Sequence, residues 1–254
     1  MTDKHKDTMM TLCEDQAFHC EPVSFMSDGF RLTGILHLPP TPHPSFVVGS
    51  HGLLSNADSP KQITLANHLN RNGIAYFRFH HRGCGESSGT FDPDLTFHGR
   101  TNDLTNAITT IINRPDMGKK MGLFGSSMGG ASVIAVAERF HPQAMVILAA
   151  PVSLSAINTS PDILADLLIS DTAAFQRRLD FDLTPQLDLL QEILIVHGKS
   201  DQVVPFSCSE QIFASARPAK KLLALEKGDH QISSPPHQSQ FIREAVQWFT
   251  ERLV

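Results

Sequence analysis

The amino-acid sequence predicts an α/β fold: an eight-stranded, mostly parallel twisted sheet with helices on both faces. Strand-like apolar runs alternate with helix-like stripes from residue 45 onward, an alternation that calls for parallel strands joined by crossover helices. Two earlier runs flank Asp28-Gly29, a tight-turn dipeptide that predicts an antiparallel hairpin at the start of the sheet. The chain has 254 residues, 41% of them hydrophobic, which is enough for one large core. Residues 21–254 are read as a single domain, and residues 1–20, which show no period, as a loose N-terminal arm.

The hairpin strands are expected over 23–26 and 31–38, and the proline-rich link 39–44 leads to a third strand over 45–50. Pro60 suits the first turn of the next helix, where its missing N–H costs nothing, and Ser59 is placed to cap it with its side chain. Ile63, Leu65, Ala66 and Leu69 form that helix's stripe, and Asn72-Gly73 closes it. A fourth strand follows over 74–79, then the glycine-rich loop Arg82-Gly83-Cys84-Gly85-Glu86-Ser87. Leu104, Ile108, Ile111 and Ile112 mark a helix that stops at Asn113-Arg114-Pro115. Further strands fall over 121–124, 145–150, 193–196 and 222–225, with helices over 130–140, near 206–216 and from Pro236 to the end. The stretch 152–190 is long for a simple crossover. It is read as a lid insertion after the sixth strand that walls a substrate site, with a crossover helix plus loop as the alternative.

Bulk properties exclude several classes. A formal net charge of −5 leaves no basic footprint for nucleic acid. No run of apolar residues is long enough for a membrane span, and the polar start lacks the apolar centre of a signal peptide. Cys13, Cys20, Cys84 and Cys208 are few and scattered, and read as reduced thiols of a cytoplasmic protein. The spacing of Cys13, His19 and Cys20 matches no zinc pattern.

Gly125-Ser126-Ser127-Met128-Gly129 sits between a strand and a helix. G-x-S-x-G in that context is a nucleophile elbow: the turn is so tight that Gly125 and Gly129 must be small, and it exposes the Ser127 hydroxyl at a helix N-terminus. A serine hydroxyl needs a base to take its proton and an acid to orient that base. In an open α/β sheet such partners follow the carboxyl ends of strands. Asp201 follows the seventh strand and His230 the eighth, so Ser127, Asp201 and His230 are the candidate catalytic residues, with Asp188 and Asp229 as weaker candidates for the acid. The oxyanion that acyl transfer develops needs backbone donors, expected from the Met128 N–H and from the Leu53 N–H of the loop His51-Gly52-Leu53, where Gly52 allows close approach. His51, His80 and His81 as metal ligands would want a paired carboxylate or an i, i+4 histidine helix, and neither is present; no metal is expected.

Together, the elbow, His51-Gly52, the glycine-rich loop, Asp201 and His230 resemble the α/β-hydrolase superfamily from about residue 22 onward. The chain looks most like the bacterial serine esterases and the serine aminopeptidase-like branch, including cinnamoyl (feruloyl) esterase-type enzymes. The resemblance implies ester hydrolysis through an acyl-enzyme, on a small-molecule ester and without cofactor. One position departs from the pattern: where the family often has an Asp before the glycine-rich loop, this chain has His80, so the polar network beneath that loop must differ.

The reading is therefore a serine carboxylesterase. A peptidase or thioesterase would use the same three residues; a peptidase would bind a free amine through acids such as Asp162, Asp166, Asp171, Asp180 and Asp182. A binding protein that has lost catalysis would be expected to lack one of the three. Oligomeric state is open, a homodimer included.

Overall fold

In the computed structural model, which describes residues 19–158 and 172–254, eight strands build one sheet. They are β1 (His19–Ser27), β2 (Phe30–Leu38), β3 (Phe46–Ser50), β4 (Ala75–Phe79), β5 (Met121–Ser126), β6 (Ala144–Leu148), β7 (Ile193–Gly198) and β8 (Lys220–Leu225). Their spatial order is β1-β2-β4-β3-β5-β6-β7-β8. β1 and β2 pair antiparallel, β2 pairs antiparallel with β4, and β3 to β8 run parallel. Asp28 and Gly29 both take positive φ in the hairpin turn, the backbone hand that matches strand twist.

Side-chain alternation divides the interior into two apolar layers. On one face Val48, Leu123, Ile147 and Ile195 pack against α2 (Phe97–Ile112), α3 (Met128–Phe140) and α5 (Ser207–Ser215). On the other, Val47, Phe124, Val146 and Val196 pack against α1 (Pro60–Arg71) and α6 (Pro235–Leu253). Both faces of the central strands are covered, which is why those strands read as unbroken apolar runs. From β3 the chain steps to β4 on one side and returns to β5 on the other. The carboxyl ends of β3 and β5 thus flank a topological switch point, where open α/β sheets bind ligands.

Several expectations shift. β1 begins at His19, so residues 19 and 20 belong to the sheet rather than to an arm; residues 1–18 lie outside the described residues. Ser59 makes no side-chain cap; its carbonyl accepts instead from the N–H groups of Gln62 and Ile63. Cys20 is disulfide-bonded while Cys84 and Cys208 are free. That corrects the reading of four reduced thiols and weakens the thiol argument for a cytoplasmic location. Among the described residues no helix is long and apolar enough to cross a membrane.

Of the expected lid, 159–171 lie outside the described residues, and with them Ile163, Leu164, Leu167, Leu168, Ile169, Asp162, Asp166 and Asp171. The described remainder includes α4 (Thr172–Arg178) and a 3₁₀ segment, Thr184–Leu189. Phe181, Leu183, Leu187 and Leu190 are built into the main core, with Phe181 stacked on Phe97 at 4.1 Å between ring centroids. Phe175 and Leu179 form a small cluster with Leu95.

Candidate active site

Ser127 links β5 to α3 with φ 54° and ψ −122°, a conformation that L residues rarely adopt. A Cβ on Gly129 would collide with the Ser50 and His51 carbonyls, and one on Gly125 with the Gly129 backbone. The elbow is fixed by the Ser127 N–H donating to Leu148 O at 2.7 Å and by Ser127 O accepting from Gly130 and Ala131.

Three groups far apart in the chain meet here. His230 Nε2 lies 3.1 Å from Ser127 Oγ, and His230 Nδ1 lies 2.7 Å from Asp201 Oδ2. The second Asp201 oxygen, Oδ1, accepts the Val203 and Val204 N–H groups, each at 2.8 Å. Burial of Asp201 works against its ionised form, but the hydrogen bonds from His197 and His230 outweigh it and hold the carboxyl well below the usual carboxylate range. Asp229 is engaged elsewhere, accepting from the Ser233 N–H. Asp188 lies in the 3₁₀ segment of the inserted stretch rather than after a strand.

The loop after β3 runs beside the elbow: a Cβ on Gly52 would stand 3.5 Å from Ser127 Cβ. His51 is buried, with Nδ1 2.7 Å from Gly52 O and Nε2 accepting the His81 N–H at 3.2 Å. Nδ1 therefore carries the proton, and both ring nitrogens are occupied. Burial, with the neighbouring His81 ring and the Arg100 guanidinium adding to it, pushes His51 far below the ordinary imidazole value. The buried guanidinium of Arg100 donates to the His51 carbonyl from below, tying the loop to α2. Met128 is the first residue of α3, so its N–H has no acceptor within the helix. Leu53 and Met128 line the same cavity as Ser127.

Where the family pattern puts an Asp, His80 accepts the Ala57 N–H at 3.4 Å and stands 3.4 Å from Asp58 Oδ2, with Gly85 packed on its ring. Asp58 also pairs with buried Arg78. The His80 contact and Arg78 outweigh partial burial and bring the Asp58 carboxyl down to about 2. The carboxylate that bonds the glycine-rich loop itself is buried Asp103 of α2, which accepts the Arg82 backbone N–H at 3.0 Å and its guanidinium at 2.7 Å.

The Ser127 hydroxyl faces a cavity of about 450 Å³. Its apolar walls include Leu53, Leu154, Ile157, Phe175, Leu179 and Val203. Among the described residues that line it there is no carboxylate, and Lys61, which donates to Gln231 O at 2.9 Å, is the charged one. Among the described residues no cluster of three or more His, Cys, Asp or Glu side chains is arranged to hold a metal ion. Sequence reasoning missed His197, Arg100 and Asp58; His197 alone carried a signal, a polar residue inside an apolar strand run four positions before Asp201.

This sheet order, elbow and hydrogen-bonded chain define an α/β hydrolase. The family model described as serine aminopeptidase, S33, matches residues 41–179, more than half of the chain, and the protein belongs to that family. It is 27% identical over 219 residues to YfhR of Escherichia coli K12, an uncharacterized protein, covering 83% of this chain and 73% of that one. It is 25% identical over 190 residues to thiohydrolase aneE of Aspergillus aculeatus, covering 72% of this chain and 58% of that one. Among solved structures, the ferulic-acid-bound Est1E of Butyrivibrio proteoclasticus superposes with a TM-score of 0.73 at 21% identity, over 91% of this chain and 98% of that one. The Pyrococcus furiosus esterase Pf2001 does so with a TM-score of 0.78 at 16% identity, over 95% and 94%.

Proposed function

We propose that the protein is a serine hydrolase that cleaves carboxylic esters of small or medium acyl groups through an acyl-enzyme intermediate. The observation that carries this reading is the chain Ser127–His230–Asp201, with contacts of 3.1 and 2.7 Å, opening on an apolar cavity. Ser127 Oγ attacks the ester carbonyl as His230 Nε2 takes its proton. Asp201 holds the imidazole by Nδ1 and stabilises the imidazolium. The tetrahedral oxyanion is received by the Met128 and Leu53 N–H groups. His230 then gives the proton to the departing alcohol, and in the second half activates water to release the acid and regenerate Ser127.

The family's description and the aneE relative's name point to peptide and thioester chemistry respectively. An aminopeptidase must hold a free ammonium, and the described cavity wall offers Lys61 and no carboxylate, which favours esters. Thioesters need nothing that this site lacks. The test is turnover of p-nitrophenyl butyrate, a butyryl thioester and an aminoacyl p-nitroanilide by wild type and Ser127→Ala. We expect ester hydrolysis well above the amide, and a loss of at least about 10³-fold in the variant. Full activity of Ser127→Ala on the ester would refute the assignment.

A further inference from the structure

His197 is the second-to-last residue of β7 and is fully buried. It shares a sheet face with Ile193 and Ile195, in a layer otherwise filled by apolar neighbours such as Val204, Cys208 and Ile212. An imidazole in such a layer costs free energy unless its nitrogens are bonded. Both are. Nε2 lies 3.0 Å from Asp201 Oδ2 and 3.0 Å from Val204 O. Neither oxygen has a proton to give when Asp201 is ionised, so Nε2 carries the hydrogen. Nδ1 lies 2.6 Å from the hydroxyl of Ser209, itself fully buried on α5. The Phe206 ring stands edge-on to the imidazole at 5.6 Å and closes the side.

The carboxylate oxygen that holds His230 therefore receives a second imidazole N–H, from the interior side of the site. We infer that His197, itself held by Ser209, is a positioning residue for Asp201: it fixes the carboxylate's orientation, shares its charge, and so sets how strongly His230 holds a proton. The inference rests on the ester-hydrolase reading for its kinetic consequence, but not for its effect on His230. The carboxylate's charge favours the imidazolium of His230, and the His197 N–H draws off part of it. Removing that donor leaves the carboxylate less neutralised and makes His230 more basic. The base must be neutral to act, so the acid limb of activity moves to higher pH. Among the described residues, the other titratable groups facing this cluster are the Cys208 thiol on α5 and, beside His230, Asp229 and Lys61. All three are left in place by the variants below.

The test compares wild type with His197→Gln, His197→Leu and Ser209→Ala, by the pH profile of kcat/KM on p-nitrophenyl butyrate and by NMR titration of the His230 ring. In His197→Leu we expect kcat/KM to fall about 10-fold or more and both the acid limb and the His230 titration to rise by about half a pH unit or more. His197→Gln, whose amide N–H reaches the place of Nε2, keeps both near wild type; Ser209→Ala, which unpins the ring, shifts both part of the way. Should the leucine variant not fold, Ser209→Ala carries the same comparison. A uniform loss of rate with unmoved limb and unmoved His230 titration overturns the inference, since that is what a packing role alone produces. If wild type turns over no ester, it is the hydrolase reading that fails, and the His230 titration alone decides the role of His197.

Discussion

At Ser127 the backbone is held at φ 54° because the turn from β5 to α3 leaves no room for a relaxed one. Strain of this kind costs on the order of 1–3 kcal/mol and persists only where the surroundings over-determine it. Here they do so through the Ser50 and His51 carbonyls, which lie where a Gly129 side chain would go. Those carbonyls belong to the end of β3 and to the proposed oxyanion loop, so one methyl group would disturb the proposed nucleophile and its donors together. Gly129→Ala is expected to lower the unfolding free energy by about 1–3 kcal/mol, as overpacking against rigid backbone does. Its turnover of p-nitrophenyl butyrate, on the proposed function, should fall by more than the stability change explains. Denaturant melts and p-nitrophenyl butyrate assays measure both, and a variant with wild-type stability and rate would contradict this account of the elbow.

At the scale of elements, the central strands and the elbow were legible because both faces of β3, β5, β6 and β7 are covered, and covered strands advertise themselves as apolar runs. Asp201 was legible because it follows such a strand, β7, and His230 because it follows β8, a half-buried edge strand whose apolar run at 222–225 still showed. The ends of elements were less so, for identifiable reasons. β1 is an edge strand with its first residues largely exposed, so nothing apolar marks its start at His19. α2 begins at Phe97, well before its stripe at Leu104, because its first turns bury Arg100 and Asp103, side chains that look solvent-facing in a sequence. Arg100 holds the His51 carbonyl, and Asp103 accepts from the Arg82 guanidinium at 2.7 Å. The pairing of His80 with Asp58 depends on which loops meet in space, and composition carries no trace of that, whereas His197 pairs with Asp201 only four positions on.

Over the whole molecule, the polar interior beside the site makes stability depend on pH. Burial, helped by nearby guanidinium charge, holds His37 and His81 down to about 3, and His51 well below its ordinary value. A histidine with a depressed folded value binds its proton in the unfolded chain first. Stability is therefore fully present above the unfolded value of about 6.5 and drains away as pH falls from there toward the folded values. Asp103 and Asp201, both held below the carboxylate range, add a second loss that starts only near pH 4. Unfolding free energy should thus begin to fall between pH 7 and 5, by roughly 1 kcal/mol per pH unit for each proton taken up. A flat profile down to pH 4.5, followed by an abrupt acid transition, would show that the buried histidines are charged in the folded protein.

The central claim is that one hydroxyl among the many in this chain is made nucleophilic by His230 and Asp201. A fluorophosphonate probe reads it directly, since it forms a stable adduct only with an activated serine. Peptide mass spectrometry of the labelled full-length protein should find a single adduct, on the peptide that contains Ser127, and none after His230→Ala. An intact, folded protein that takes no label, or takes it on another serine, would contradict the account.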